Sequence, residues 1–292
     1  MTTKIILDTD IGSDIDDAVC LAYLLAQPEC ELLGITTVSG ESTKRAMLAS
    51  VLCQAAGRDI PIFPGVEQPL LVEQRQPVAQ QAKALTKWQH TVDYETGEAL
   101  NFLRRTIRQH PGEIVLLTIG PLTNIGLLFA SDPEIPTLLK GMVMMGGRFV
   151  NPIPDLPLTE WNIMLDPHAA AIVFKSPVPI RAVGLDVTLQ VAMDPVAVRR
   201  QFNTPLLRPV LDFAEIWFEE RDRIIFHDPL AGLTIFEPDL CRFESGRIDV
   251  ELVSERLLGL TYWQPGGEGR HQIATTVDSA RFFERFFSVF QR

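Results

Sequence analysis

Near its start the chain reads Lys4-Ile5-Ile6-Leu7-Asp8-Thr9-Asp10-Ile11-Gly12-Ser13-Asp14-Ile15-Asp16-Asp17-Ala18. The apolar run at residues 5–7 is typical of a parallel β-strand that is covered on both faces. Five aspartates then follow within ten residues, and after Lys4 no Lys, Arg or His occurs before Lys44. An acidic cluster without a basic neighbour in the sequence is therefore the main clue to function.

These aspartates need a counter-charge if the fold brings them together. Two carboxylates about 5 Å apart repel each other by about 3 kcal/mol at an effective dielectric constant of about 20. A bound cation would remove this repulsion. The alternative is that Asp14, Asp16 and Asp17 only cap a helix and complement its dipole, but capping explains one or two acids rather than five.

The position of the cluster also predicts a ligand site. In an open parallel sheet, ligands bind beyond the carboxyl ends of the strands. Asp8 and Asp10 lie at such an end, and strand alternation predicts that they point to the same side. Oxygen ligands alone favour Ca²⁺ or Mg²⁺. The site is not an EF-hand, because Ser13 and Val19 occupy the positions that need Gly and Glu.

Predicted strands and predicted helices alternate along the chain. Strands are predicted at 5–7, 32–38, 113–119, 142–145 and 178–183, and helices at 16–27 with Asp14 as N-cap, at 43–56, from Gly120-Pro121 and at the C-terminus. This order predicts a Rossmann-like α/β fold, an open and mainly parallel central sheet flanked by helices, in a single domain over residues 1–292. Two irregular loops, 64–92 and 148–159, are candidate binding lids.

The composition is that of an ordinary globular protein, with 46% hydrophobic and 22% charged residues. The net charge of -11 argues against a nucleic acid or an anionic membrane as partner. The four cysteines form no C-x-x-C pair, which favours reduced thiols and a cytoplasmic location. We expect neither a signal peptide nor a transmembrane helix, because no long apolar stretch occurs.

The N-terminal motif resembles the signature of the nucleoside hydrolases, in a bacterial variant with two extra residues before Asp16-Asp17-Ala18. The resemblance continues over most of the chain and in the family's order. The further matching segments are Ile119-Gly120-Pro121-Leu122-Thr123-Asn124, Met145-Gly146-Gly147, Glu160-Trp161-Asn162 with Asp166-Pro167, Gly184-Leu185-Asp186-Val187-Thr188 and His227-Asp228. Each motif is short, but together they are specific.

This resemblance implies a Ca²⁺-dependent hydrolase that cleaves the N-glycosidic bond of ribonucleosides. It implies that Ca²⁺ is bound by the side chains of Asp10, Asp17 and Asp228 and by the main-chain carbonyl of Ile119. The implied ribose contacts are Asp16, Met145, Glu160 and Asn162. Carboxylates and amides suit sugar hydroxyls because their hydrogen bonds are directional.

The resemblance also implies a direct attack of water on the sugar with inversion of configuration. Asp10 would be the general base, and His227 would protonate the departing nucleobase. His90 is a second candidate for the acid. The implied partners are a nucleoside substrate and further copies of the chain in a homodimer or homotetramer.

Several positions depart from the family pattern. The first mobile loop reads Lys87-Trp88-Gln89-His90-Thr91, Glu41 replaces an Asn, and Ile153 or Pro154 falls where an Asn would hold the ribose 5′-hydroxyl. Base and 5′-group specificity therefore stay open. The aromatic residues Trp161, Phe213, Trp217 and Phe226 could stack on a base, although core packing is the default interpretation for each.

Two other functions are compatible with parts of the sequence. A phosphatase of the haloacid dehalogenase type would use Asp8 as nucleophile and Asp10 as acid. This class expects a Thr or Ser shortly after the second Asp, and Ser13 is a poor substitute for it. A ribose- or nucleoside-binding protein without catalysis would keep the acidic pocket alone.

Overall fold

A computed structural model describes residues 2–150, 158–266 and 269–291. Within these ranges a nine-stranded sheet forms the centre of the molecule, and two further short strands, β7 and β8, pair with each other. The strands are β1 (Thr3–Thr9), β2 (Cys30–Thr37), β3 (Ile62–Pro64), β4 (Ile114–Thr118), β5 (Gly141–Met145), β6 (Ile180–Val183), β7 (Ala192–Met193), β8 (Ile224–Ile225), β9 (Cys241–Val250), β10 (Thr261–Pro265) and β11 (His271–Val277).

The large sheet is parallel over most of its width. Its strand order is β10-β9-β11-β6-β5-β4-β1-β2-β3, and the strands from β11 to β3 are parallel to their neighbours. The predicted open, mainly parallel α/β sheet is therefore confirmed. Strand β9 is antiparallel to both β10 and β11, so the sheet also has an antiparallel edge that lies beyond the predicted strands.

Helices cover both faces of this sheet. They are α1 (Asp16–Ala26), α2 (Ser42–Ala55), α3 (Ala99–Gln109), α4 (Thr123–Ser131), α5 (Ile135–Leu138), α6 (Trp161–Leu165), α7 (Pro167–Lys175), α8 (Leu185–Thr188), α9 (Pro195–Gln201), α10 (Leu207–Trp217), α11 (His227–Leu233) and α12 (Ser279–Ser288). Two short 3₁₀ helices cover Gln80–Lys87 and Val289–Gln291.

Strand β1 shows why a central strand of this sheet is apolar on both of its faces. Ile5 and Leu7 pack into one core with residues of α1, α2, α10, α11 and α12, whereas Ile6 packs into a second core with residues of α3, α4 and α7. Successive side chains of a strand point to opposite faces, so a strand that is covered on both sides is apolar at every position. The run at residues 5–7 has this pattern.

One predicted N-cap and one predicted helix start are wrong. Helix α1 begins at Asp16, as predicted, but no side-chain hydrogen bond caps it; the Asp14 carboxylate accepts the N–H of the adjacent Ile15 at 2.6 Å. Helix α4 begins at Thr123 rather than at Gly120-Pro121. In the first case the carboxylate of Asp14 lines a cavity instead of capping the helix.

The predicted loop at 64–92 is more ordered than expected, because it contains the 3₁₀ helix Gln80–Lys87. Part of the second loop, residues 151–157, lies outside the described residues, and so do the 5′-group candidates Ile153 and Pro154. The four cysteines are buried and free. Among the described helices, none is long and apolar enough to cross a membrane.

The packing of α4 against α7 gives a direct test of the fold. A Cβ atom at Gly126 would lie 2.8 Å from both Cα and Cβ of Ala169. Because that backbone cannot move aside cheaply, we expect Gly126→Ala to lower the free energy of unfolding by about 1–3 kcal/mol. Urea denaturation measures this change.

The matched control is Gly141→Ala, because the nearest atom to a Cβ there is Pro179 O, at an ordinary contact distance of 3.6 Å. We expect this variant to unfold like the wild type. An equal loss of stability in both variants would contradict the described contact between α4 and α7.

Candidate active site

A cavity of about 650 Å³ opens at the carboxyl ends of β1, β4 and β5. Its walls include four of the five aspartates of the N-terminal motif together with the predicted carbonyl ligand, the predicted ribose contacts and the pair His227-Asp228. These residues are Asp10, Asp14, Asp16, Asp17, Ile119, Met145, Glu160, Asn162, His227 and Asp228. The fold therefore brings together residues from the first, middle and last thirds of the chain.

Asp8 is the exception among the five aspartates. It is fully buried, and its Oδ1 accepts hydrogen bonds from Thr36 Oγ1 and, at 2.7 Å, from Asn124 Nδ2. It is not among the residues that line the cavity, so the expectation that Asp8 and Asp10 face one ligand is wrong. Strand β1 lies inside the sheet, where Asp8 is hydrogen-bonded to side chains of β2 and α4. Burial raises the pKa of Asp8 to about 7.

Three carboxylates meet where two helices begin. Asp16 and Asp17 lie in the first turn of α1, Asp228 lies in the first turn of α11, and one oxygen atom of each lies within 4.8 Å of the others. The Asp16 carboxylate accepts the backbone N–H of Asp228 at 3.0 Å, and the Thr9 hydroxyl donates to Asp17. These bonds hold the three side chains in one buried group.

Burial makes this group costly to ionise. It raises the pKa of Asp16, Asp17 and Asp228 well above the ordinary carboxyl range, and repulsion from neighbouring carboxylates raises it further. A hard cation with oxygen ligands would remove both penalties. The donor atoms of this cluster therefore fit a divalent ion such as Ca²⁺.

Asp10 lies beside this cluster at the end of β1. A Cβ atom at Gly120 would lie 2.7 Å from Asp10 Oδ1, so Gly120 packs directly against the carboxylate. The Ile119 carbonyl accepts a hydrogen bond from Asn162 Nδ2 at 2.9 Å. A carbonyl oxygen has two lone pairs, so this bond leaves one of them for a further contact.

Arg45 supplies a positive charge beneath the acidic motif. This fully buried residue of α2 donates hydrogen bonds to the backbone carbonyls of Asp10, Ile11 and Gly40, the last at 2.8 Å, and to Ser13 Oγ at 3.0 Å. Burial raises the pKa of Asp10, and the Arg45 guanidinium opposes that rise. Arg45 thus both holds the motif backbone and offsets part of its charge.

Glu160 and Asn162 lie at the start of α6. Both Glu160 oxygens accept backbone N–H groups, from Asn162 at 2.8 Å, from Ile163 at 3.1 Å and from Gly147 at 3.0 Å. These bonds cap the helix and fix the carboxylate at the cavity wall. Met145, at the end of β5, is buried and lines the same wall.

His227 directly precedes Asp228 and is the first residue of α11. Its Nδ1 lies 2.7 Å from Thr188 Oγ1, and burial lowers its pKa to about 4. The ring is therefore neutral at neutral pH. The alternative acid, His90, contacts Trp88 O at 2.8 Å and is not among the residues that line the cavity.

Comparison with known proteins gives a consistent result. The model of the family described as "Inosine-uridine preferring nucleoside hydrolase" matches residues 5–284. The chain belongs to this family. Uridine nucleosidase 1 of Arabidopsis thaliana is 30% identical over 94% of this chain and 89% of its own length. The inosine-uridine preferring nucleoside hydrolase of Crithidia fasciculata is 30% identical over 100% of this chain and 98% of its own length.

A solved plant nucleoside hydrolase superposes with a TM-score of 0.83 at 26% identity, covering 99% of both chains. The sheet and its flanking helices are thus those of a nucleoside hydrolase. This protein is an N-glycosyl hydrolase, and its family assigns it to the hydrolysis of ribonucleosides. The phosphatase alternative fails on this assignment and on the position of Asp8, which does not reach the cavity.

The aromatic candidates in this nucleoside hydrolase divide into two pairs. Trp161 and Trp217 line the cavity, and 49% of Trp161 is exposed. Phe213 and Phe226 are fully buried in the core, so for these two the default interpretation of core packing is confirmed.

Two residues of this site were not found from the sequence. Arg45 is distant from the motif in sequence, although a charged residue among the apolar positions of α2 was an available signal. Gln76 belongs to the segment 64–92, and its side chain donates a hydrogen bond to Asp10. Part of that segment does form a wall of the cavity, from Arg75 to Lys83.

The acidic cluster predicts how stability depends on pH and on calcium. Because the folded pKa values of Asp16, Asp17 and Asp228 are raised, the metal-free protein should lose stability as pH rises from the ordinary carboxyl pKa through these values. Calcium should reverse the loss, so its effect on Tm should be larger at about pH 8 than at about pH 5.5. Thermal unfolding with calcium or with chelator measures this.

The matched pair of variants is Asp228→Asn in the cluster and Asp249→Asn on β9, where the carboxylate pairs with Arg247. We expect calcium to raise Tm in Asp249→Asn as in the wild type and to have little effect in Asp228→Asn. A calcium effect that is independent of pH and equal in both variants would contradict the assignment.

Proposed function

We propose that this protein cleaves the N-glycosidic bond of ribonucleosides with a water molecule that is activated beside a bound calcium ion. The observation that carries the proposal is the meeting of three buried carboxylates, those of Asp16, Asp17 and Asp228, in a cavity that Asp10 and Ile119 also line. The substrate is a nucleoside, and the products are the free base and ribose.

The proposed calcium ligands are Asp10, Asp17, Asp228 and the carbonyl of Ile119. All four line one cavity, and the three side chains are buried. When bound, calcium would lower the pKa of a water molecule beside it and orient the hydroxyl groups of the ribose. The choice of a hard cation rests on the ligands, all of which are oxygen atoms.

Asp10 is the proposed general base. Its backbone is held by Arg45 and its carboxylate by Gln76, so it occupies a fixed position against Gly120. In the proposed step Asp10 removes a proton from water as the C1′–O bond forms and the C1′–N bond breaks. The electron pair of that bond leaves with the base, and attack from the opposite side inverts the sugar.

The remaining residues would bind the two halves of the nucleoside. Asp16, Met145, Glu160 and Asn162 are the proposed ribose contacts. Trp161 and Trp217 offer aromatic surface to the base from the cavity wall. The tight fixation of Glu160 by backbone N–H groups favours recognition of a ribose in one orientation.

His227 is the proposed group that assists the leaving base. With its pKa lowered to about 4, it would act as a neutral ring. If the Thr188 hydroxyl donates to Nδ1, the ring proton is on Nε2, where it can donate to a base nitrogen. We keep as predictions a homodimeric or homotetrameric state, a cytoplasmic location and a role in purine or pyrimidine salvage.

A reducing-sugar assay over purine and pyrimidine ribosides tests this function. We expect release of ribose from at least one riboside, loss of activity with chelator and its recovery with calcium. Asp10→Asn should lower kcat by about 100-fold or more, as expected for the loss of a general base.

The matched control is Asp8→Asn, the same substitution two positions earlier on β1. Its side chain can still accept from Thr36 and Asn124 and does not line the cavity, so most activity should remain. Near-normal turnover by Asp10→Asn would exclude Asp10 as the base, and absence of ribose release from every riboside would exclude the proposed function.

A further inference from the structure

The side chain of Gln76 connects two parts of the cavity, Asp10 and Trp161, which belong to different sequence motifs. The residue is buried, with 7% of its surface exposed, although it lies in a segment between β3 and the 3₁₀ helix Gln80–Lys87. Its Nε2 donates to Asp10 Oδ2, and its Oε1 accepts from Trp161 Nε1 at 2.7 Å. One amide therefore connects the proposed base with an aromatic wall of the cavity.

The chemistry of both partners fixes the orientation of this amide. An indole N–H can only donate, so it must face the amide oxygen. An ionised carboxylate can only accept, so it must face the amide NH₂ group. The two ends thus require the same arrangement, and a flipped amide of Gln76 would break both hydrogen bonds.

The backbone of Gln76 is also anchored. Its N–H donates to Gln74 Oε1 at 2.7 Å, and its carbonyl accepts from Ser39 Oγ at 3.3 Å. The side chain therefore bridges from a held backbone rather than from a free loop. With 49% of its surface exposed, Trp161 has one end of its ring system tied to Gln76 while much of the rest remains available to a ligand.

We propose that Gln76 is a positioning residue that orients the carboxylate of Asp10 for the attacking water and sets the Trp161 ring against the departing base. This inference rests on the proposed function. It couples base binding to water activation, because a change at either end of the bridge is transmitted to the other through a single planar group. A fixed carboxylate matters since small displacements of reacting groups are costly to rate.

The experiment compares Gln76→Leu, Trp161→Phe and the double variant in steady-state kinetics with the best riboside. We expect Gln76→Leu to lower kcat by about tenfold or more, because Asp10 loses its orienting donor. Trp161→Phe keeps the aromatic ring but removes the N–H, and we expect it to raise KM by about threefold or more with a smaller change in kcat.

The double variant tests the coupling. If the indole N–H acts through Gln76, its removal has no further effect once the amide is absent, so the double variant should match Gln76→Leu. Independent contributions would instead add. Should Gln76→Leu fail to fold, Gln76→Asn replaces it, because an amide that is shorter by one methylene cannot span both partners.

A second readout does not depend on activity. In ¹⁵N-labelled protein, the indole N–H resonance that is missing from Trp161→Phe identifies Trp161. We expect this resonance to shift, and its proton to exchange faster with solvent, in Gln76→Leu. The matched control is Gln27→Leu, which removes another buried glutamine whose Nε2 donates to Tyr23 Oη at 2.9 Å, outside the cavity.

The outcomes separate the two proposals. An unchanged indole resonance, an unchanged kcat or additive effects in the double variant would overturn the role of Gln76 while leaving the hydrolase function intact. Equal losses of kcat in Gln27→Leu and Gln76→Leu would reduce the role of Gln76 to general stability and overturn it as well. A wild type that hydrolyses no riboside would overturn the proposed function itself.

Discussion

The structure depends on the burial of several carboxylates at one edge of a parallel sheet. Asp10, Asp16, Asp17 and Asp228 are each at most 5% exposed, so water solvates them poorly and their mutual repulsion is strong. Arg45 offsets part of this charge from inside the protein, but it is one cation beneath several acids. A divalent ion above the cluster would complete the balance and leave the cavity open to a sugar.

Much of this arrangement follows from the sequence. The apolar run at residues 5–7 predicts a buried strand, and the motif that follows it predicts acids at the strand's carboxyl end. The later motifs matter because parallel strands end at the same edge, which is why Ile119 and Met145 line the cavity with Asp10. Asp228 arrives there because α11 begins beside α1, a contact that only the resemblance to the family implied.

Other features depend on packing between distant segments and leave little trace in local sequence. Arg45 and Gln76 contact the motif only because α2 and the segment before the 3₁₀ helix fold over it. The alternation rule put Asp8 beside Asp10, whereas neighbouring groups on β2 and α4 hold Asp8 away from the cavity. Phe213 and Phe226 lie in the core, and their sequence alone could not show this, because an aromatic side chain can either pack in the core or stack on a base.

A crystal structure of the protein grown with calcium would show whether the acidic cluster binds the ion. We expect one ion with Asp10, Asp17, Asp228 and the Ile119 carbonyl as ligands, at oxygen–calcium distances of about 2.3–2.6 Å. If calcium at saturating concentration bound elsewhere and did not contact these four groups, the proposed calcium site would be wrong.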